Sequence, residues 1–145
     1  MSVDQSIVER NRVQRERLVA VVGRLSDDQL RTPLGEDWTV AVALAHLAFW
    51  DRRVALALDR FARDRGVPAP VDVDLVNDAL LAEWLALPPR EAARLAVEAA
   101  ERVDRSVEAT SADLREALVA AGSPIRLGRA EHRQAHLDQI EQAIG

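Results

Sequence analysis

Three histidines are the whole imidazole supply of this 145-residue chain. Two of them, His132 and His136, stand four apart in "RAEHRQAHLDQIEQAIG"; the third, His46, lies far upstream in "LAHLAFWD". At about 100° per residue, a four-residue step leaves the pair about 40° apart on one helix face. Two imidazoles one turn apart can converge on a single ion, so H-x3-H is a good bidentate clamp. Such pairs also arise by accident. The chain has no cysteine, which excludes thiolate ligands, disulfides and a thiol nucleophile of its own. If His46 joins the pair, three nitrogens leave a fourth position for water or substrate, the pattern of a catalytic site. Zinc or nickel suits such a donor set.

The elements that must position these residues are helical. Glycine and proline cluster at "RTPLGEDW", "RGVPAPVD", "LPPRE" and "AGSPIRLG", cutting the chain into segments of helical length. The pattern predicts main helices over 3–24, 39–65, 89–110 and 128–144, a shorter helix over 73–86 and a helical turn near 113–120. Ser26 and Gln29 fit a capping box, so a brief helical turn follows the first helix. No segment alternates with a period of two. The expected fold is an all-α bundle: one domain with four main helices and one short extra helix between the second and third.

Helical phase then places the candidates. In the first helix Ile7, Leu18, Val21, Val22 and Leu25 form an apolar stripe with Asn11 and Gln14 near its centre. A buried amide costs about 1–3 kcal/mol unless its hydrogen bonds are met. Either each amide finds a backbone carbonyl or water, or the two line a polar pocket. On the second helix His46 shares its face with Thr39, Val42, Ala43, Trp50, Arg53 and Ala57, while Asp51 points elsewhere. Alone, His46 reads as a satisfied core histidine, and Trp38 and Trp84 read as packing. On the fourth helix Gln139, Ile140 and Ala143 extend the histidine stripe, with Glu131, Gln134, Asp138 and Glu141 outside. All three histidines thus face inward. Two neutral imidazoles packed without a shared partner fit a core poorly, and a metal ion resolves that.

The formal net charge of −5 gives a nucleic-acid role little support. No apolar run approaches the ~20 residues of a membrane span, and the charged start "MSVDQSIVERNRVQRERL" does not resemble a signal peptide. A cytoplasmic location is expected. Every basic residue is arginine, which reads as compositional bias.

"EDWTVAVALAHLAFWDRRV" resembles the second-helix signature of the DinB/YfiT-like superfamily, "LSDDQLRTP" its lead-in, "VDVDLVNDAL" the Asp/Asn-containing stretch that follows, and "EHRQAHLDQIEQAI" its terminal helix. The resemblance implies an up-and-down four-helix bundle holding a divalent metal through His46, His132 and His136. Similar proteins include mycothiol- or bacillithiol-dependent transferases and isomerases, metal-dependent hydrolases and many of no known activity; homodimers are common among them, so the resemblance implies a homodimer. Two features depart from the resemblance: the helix-2 motif lacks its usual acidic residue three after Thr39, where Val40, Ala41 and Val42 follow, and the sequence stops after the fourth helix where the maleylpyruvate isomerases carry an additional C-terminal domain.

Three functions follow as expectations. In the first, a metal-dependent S-transferase, the ion stabilises the thiolate of a small-molecule thiol and presents it to an electrophile. There Asn11, Gln14, Trp50, Arg53 and Gln139 contact the substrate. In the second, a hydrolase, the open position holds a water; the sequence offers it no evident general base, since Glu131 and Asp138 face outward, although Glu36 and Asp37 lie near the pocket mouth. The third is a non-enzymatic metal- or ligand-binding bundle.

Overall fold

The computed structural model describes residues 3–145. Along them run α1 (Val3–Arg24), α2 (Asp27–Leu30), β1 (Pro33–Gly35), β2 (Trp38–Thr39), α3 (Val40–Asp64), α4 (Val73–Ala86), α5 (Pro89–Ala109), α6 (Ala112–Ala120) and α7 (Ala130–Ile144). Most helix starts are written locally. The Ser26 hydroxyl accepts from the Gln29 amide while the Gln29 side chain accepts from the Ser26 amide, the reciprocal box expected there. Thr39, Asp72 and Ser111 cap α3, α4 and α6 through the Val42, Leu75 and Leu114 amides. Pro89 opens α5, where its missing N–H costs nothing.

Helix α7 has no cap of its own, because Arg129 stands at its N-cap. The cap comes from α1. Asn11 Oδ1 accepts from the Arg129 and Ala130 amides at 2.7 and 3.0 Å, and its Nδ2 donates to the Leu127 carbonyl at 2.9 Å. Asn11 is therefore the satisfied buried amide, only 1% exposed, and not a pocket residue.

The short β1–β2 hairpin was not foreseen. Gly35 pairs with Trp38 across a turn in which Gly35 (φ 101°) and Glu36 (φ 49°) both take positive φ. Strands of three and two residues are too short for a period of two to register. The hairpin turns Glu36 and Asp37 out to solvent and sets Trp38 over the bundle.

Helix α3 packs most extensively on α5, whose buried Ala92, Ala93, Ala96, Ala99 and Ala100 let the backbones approach. Helix α1 packs on α5 and α7, and α3 also meets α7 and α4. The four long helices therefore form a bundle in which α1 and α3 each lie between α5 and α7. One apolar cluster gathers Leu18, Val21, Leu44, Leu47, Ala100, Leu137 and Ile140; a second gathers Val54, Leu58, Phe61, Val103, Val107 and Leu118.

Between these two clusters lies a charged layer. Arg133, fully buried, donates to Asp104 through both terminal nitrogens at 2.8 and 3.0 Å, to Asp51 at 3.2 Å and to the Asn11 carbonyl at 3.0 Å. Arg129 reaches Asp51 at 2.8 Å, and Arg15 reaches Asp104. Asp51 is indeed off the His46 face, but it points into the bundle. Burial opposes the Arg133 charge, yet the two carboxylates outweigh it and raise its pKa. The exposed arginine pairs behave differently: Arg12 with Glu9 and Glu16, and Arg94 with Glu91 and Glu98, are solvated pairs along one helix. No helix among the described residues is long and apolar enough to cross a membrane.

Candidate metal centre

Helix α3 brings His46, and α7 brings His132 and His136, to one point. The three ring centres lie 4.7 to 4.9 Å apart in every pairing. One nitrogen from each ring falls within 4.8 Å of the others, and His46 Nε2 and His132 Nε2 are only 2.8 Å apart. His46 is buried; the α7 pair is half-buried. The expected stripe on α7 is rotated. Its deeply buried positions are Ala130, Arg133, Leu137 and Ile140, whereas Gln139 and Ala143 are exposed. The histidines flank that stripe, which opens them toward a cleft.

Hydrogen bonding determines which ring nitrogens are free. Trp50 Nε1, a donor only, contacts Asn77 Oδ1 at 2.9 Å, so the atom facing it is the amide oxygen. The same oxygen lies 3.2 Å from His46 Nδ1, which must then carry the proton and leave Nε2 free to ligate. His136 Nδ1 faces Gln139 Oε1 at 3.3 Å, in the same sense. His132 Nδ1 is buried with no hydrogen-bond partner among the described residues. Replacing Asn77 by alanine is expected to lower metal affinity about 10–100-fold, as loss of an orienting partner does elsewhere. The fold should persist, since Asn77 is only half-buried. Zinc competition titrations measure it; unchanged affinity would show that the Asn77 bond orients nothing.

Electrostatics keep the rings neutral. Burial pushes His46 down to about 3, helped by the His136 and His132 rings and opposed by the bond to Asn77. Burial pushes His132 down to about 3 as well, with His136, Arg129 and Arg133 adding to it. Burial also lowers His136, against its bond to Gln139. At neutral pH no proton has to leave before a metal can bind. The same shifts give a pH dependence to the metal-free protein. Below about pH 6.5 the unfolded chain takes up protons that His46 and His132 refuse until about pH 3, so folding stability falls with acid. These two rings alone should remove about 4 kcal/mol between pH 7 and pH 5. Urea titrations at the two pH values, set beside a His46→Leu, His132→Leu double variant, give the size. An equal acid loss in the variant would assign it to other groups.

The donor set fits a divalent ion. A tetrahedral ion with Zn–N bonds of about 2.0–2.1 Å holds its nitrogens about 3.3 Å apart, within the spread of contacts present here. The His46–His132 contact sets two ring nitrogens against each other at 2.8 Å, an arrangement that a shared proton or cation must mediate. Cysteine-free and built on neutral imidazole, the trio offers three nitrogen ligands that could hold one metal ion.

The three tryptophans of the chain surround the site. The centres of Trp38, Trp84 and Trp50 lie 4.9, 5.6 and 6.5 Å from the His46 ring. Trp38 also stacks on His136 at 6.1 Å. Trp38 and Trp84 are thus walls of the site as well as packing. A cleft of about 410 Å³ opens beside the rings, lined by His46, Trp50, Val73, Arg126, Gly128, Arg129, Glu131 and His132. Of the residues expected to contact a substrate, Trp50 lies on this cleft. Arg53 lies next along, its guanidinium 5.7 Å from the Trp50 ring centre. Gln14 does not reach it; its side chain accepts from Arg17 at 3.3 Å. Gln139 partners His136. Glu131 is exposed but lines the cleft, which corrects its placement on the outer side.

Sequence reasoning missed Asn77 and the charged layer. Asn77 carried a signal, as a lone amide in the apolar run "VNDALLAEWLA". Arg133 lies four and seven residues before Leu137 and Ile140, and Asp51 four after Leu47, so both continue buried stripes.

Set beside known proteins, the chain has no match among the curated proteins or the solved structures compared with it. It does match the sequence profile of the DinB superfamily, from residue 10 to residue 140. That span takes in α3 and α5 whole, most of α1 and α7, and all three histidines, and on it the chain belongs to the DinB superfamily.

Proposed function

We propose that His46, His132 and His136 hold one divalent ion, zinc or nickel, and that the protein is an S-transferase acting with a low-molecular-weight thiol such as mycothiol. The observation that carries this reading is the convergence of three neutral imidazoles at the head of a cleft, in a chain with no sulfur nucleophile of its own. An ion held there supplies a Lewis acid that favours a thiolate, or a hydroxide, at neutral pH. The chain's own residues do the rest. Asn77 orients His46, the tryptophans exclude water from one side, and the cleft admits thiol and electrophile from the other.

Glu131 favours a second reading, a metal-dependent hydrolase, because it lines the same cleft as His132. A general base is what hydrolysis would ask of it. The test is zinc- or nickel-loaded protein assayed with mycothiol or bacillithiol plus monochlorobimane, and separately with p-nitrophenyl acetate. Thiol conjugation that needs the metal supports transfer. Ester cleavage that falls in Glu131→Gln, without thiol conjugation, replaces it with hydrolysis. Neither activity leaves a metal- or ligand-binding bundle.

A further inference from the structure

The cleft does not end at the histidines. Past Trp50, Val73, Arg126 and Arg129 it continues into a second hollow of about 300 Å³, bounded by Arg53 and by apolar groups such as Val71 and Ile125. Among the described residues, three arginines line this hollow and no carboxylate does. Arg129 pairs with Asp51. Arg53 and Arg126 have no acidic partner among the described residues, as is also true of Arg10, Arg52, Arg60, Arg65 and Arg105; what sets these two apart is that both line one hollow, in a chain whose net charge is −5. Arg53 comes from α3 and is held against the Trp50 ring; Arg126 comes from the segment before α7. Two uncompensated guanidiniums from separate elements, set among apolar walls, focus positive potential and offer planar forks suited to an oxyanion.

We propose that this hollow is an oxyanion subsite. A substrate whose reacting atom meets the histidines carries a carboxylate or phosphate at its other end, taken by Arg53 and Arg126, with an apolar stretch lying along Trp50 and Val73. The placement of the reacting atom rests on the metal-centre reading above; the anion subsite does not.

The test separates the two. Hexanoate, hexyl phosphate and hexanol are titrated into zinc-loaded and metal-free protein at low salt, following tryptophan fluorescence and calorimetry. The expected result is at least tenfold tighter binding of one or both anions than of the alcohol, weakening with salt and falling to within about twofold in Arg53→Gln and Arg126→Gln. Arg126 is exposed and outside any helix, so its variant should fold. The nickel-loaded protein is then given 6-mercaptohexanoate or 6-mercaptohexanol, with thiolate coordination read from its near-ultraviolet charge-transfer band. Anion preference without that band keeps the subsite and removes the thiol reading. The band with equal affinity for acid and alcohol does the reverse. Anion and alcohol binding alike, or preference untouched in both arginine variants, overturns the proposal.

Discussion

Replacing either His46 or His136 by alanine is expected to cost the protein its metal. Purified without a polyhistidine tag, the parent should carry about one equivalent of zinc or nickel by mass spectrometry, and each variant close to none. The two positions are chosen because they sit on different helices, α3 and α7, so loss in both requires a site that crosses the bundle. Removing one of three imidazoles leaves a two-ligand clamp. The affinity should fall by more than about 10²-fold, exceeding the effect of losing an orienting partner such as Asn77. The tryptophans provide a second readout, since all three ring centres lie within 6.5 Å of His46. Nickel should quench their emission in the parent at one equivalent and leave it unchanged in His46→Ala. A parent protein that neither carries metal nor takes up zinc or nickel would make the three histidines core residues, and the proposed activity would fall with the site.

The largest stability effect should come from a residue that touches no metal. Arg133→Met is expected to destabilise the protein by about 3–5 kcal/mol, because it leaves Asp51 and Asp104 buried with their shared cation gone. At this chain length that corresponds to roughly 10–20 °C in Tm. Arg129 and Arg15 still reach the two carboxylates, which keeps the loss from being larger. Combining Arg133→Met with Asp51→Asn and Asp104→Asn should recover part of it, since neutral amides cost less to bury than unpaired carboxylates. Urea unfolding of the single and triple variants measures both effects. A loss under 1 kcal/mol in the single variant would mean that the layer contributes little net stability. Because Arg133 follows His132 directly and anchors α7 to α1, α3 and α5, the variant should also loosen the metal site.

The helices, the Ser26 cap and the His132–His136 pair were legible in the sequence, because each depends on short-range geometry; His46 joined the pair there only through its inward face and the family resemblance, and packing is what brings it to them. Glycine and proline interrupt the 3.6-residue period at fixed places, and Ser26, Thr39, Asp72 and Ser111 cap amides no more than three residues away. The spacing of His132 and His136 is a property of one helix turn, so their neighbourhood follows from backbone geometry alone. What each buried polar group meets is a different matter. Asn11 caps a helix more than a hundred residues away, Asp51 and Asp104 meet on an arginine of α7, and Asn77 reaches His46 from α4. Each pairing is set by how whole helices pack, and periodicity gives only the phase of a side chain around its own axis. Arg133 and Asp51 sat on buried stripes, but a stripe cannot announce that a charge within it will be paired. The tertiary structure decided that, because only packing brings opposite charges close enough to offset the cost of taking them out of water.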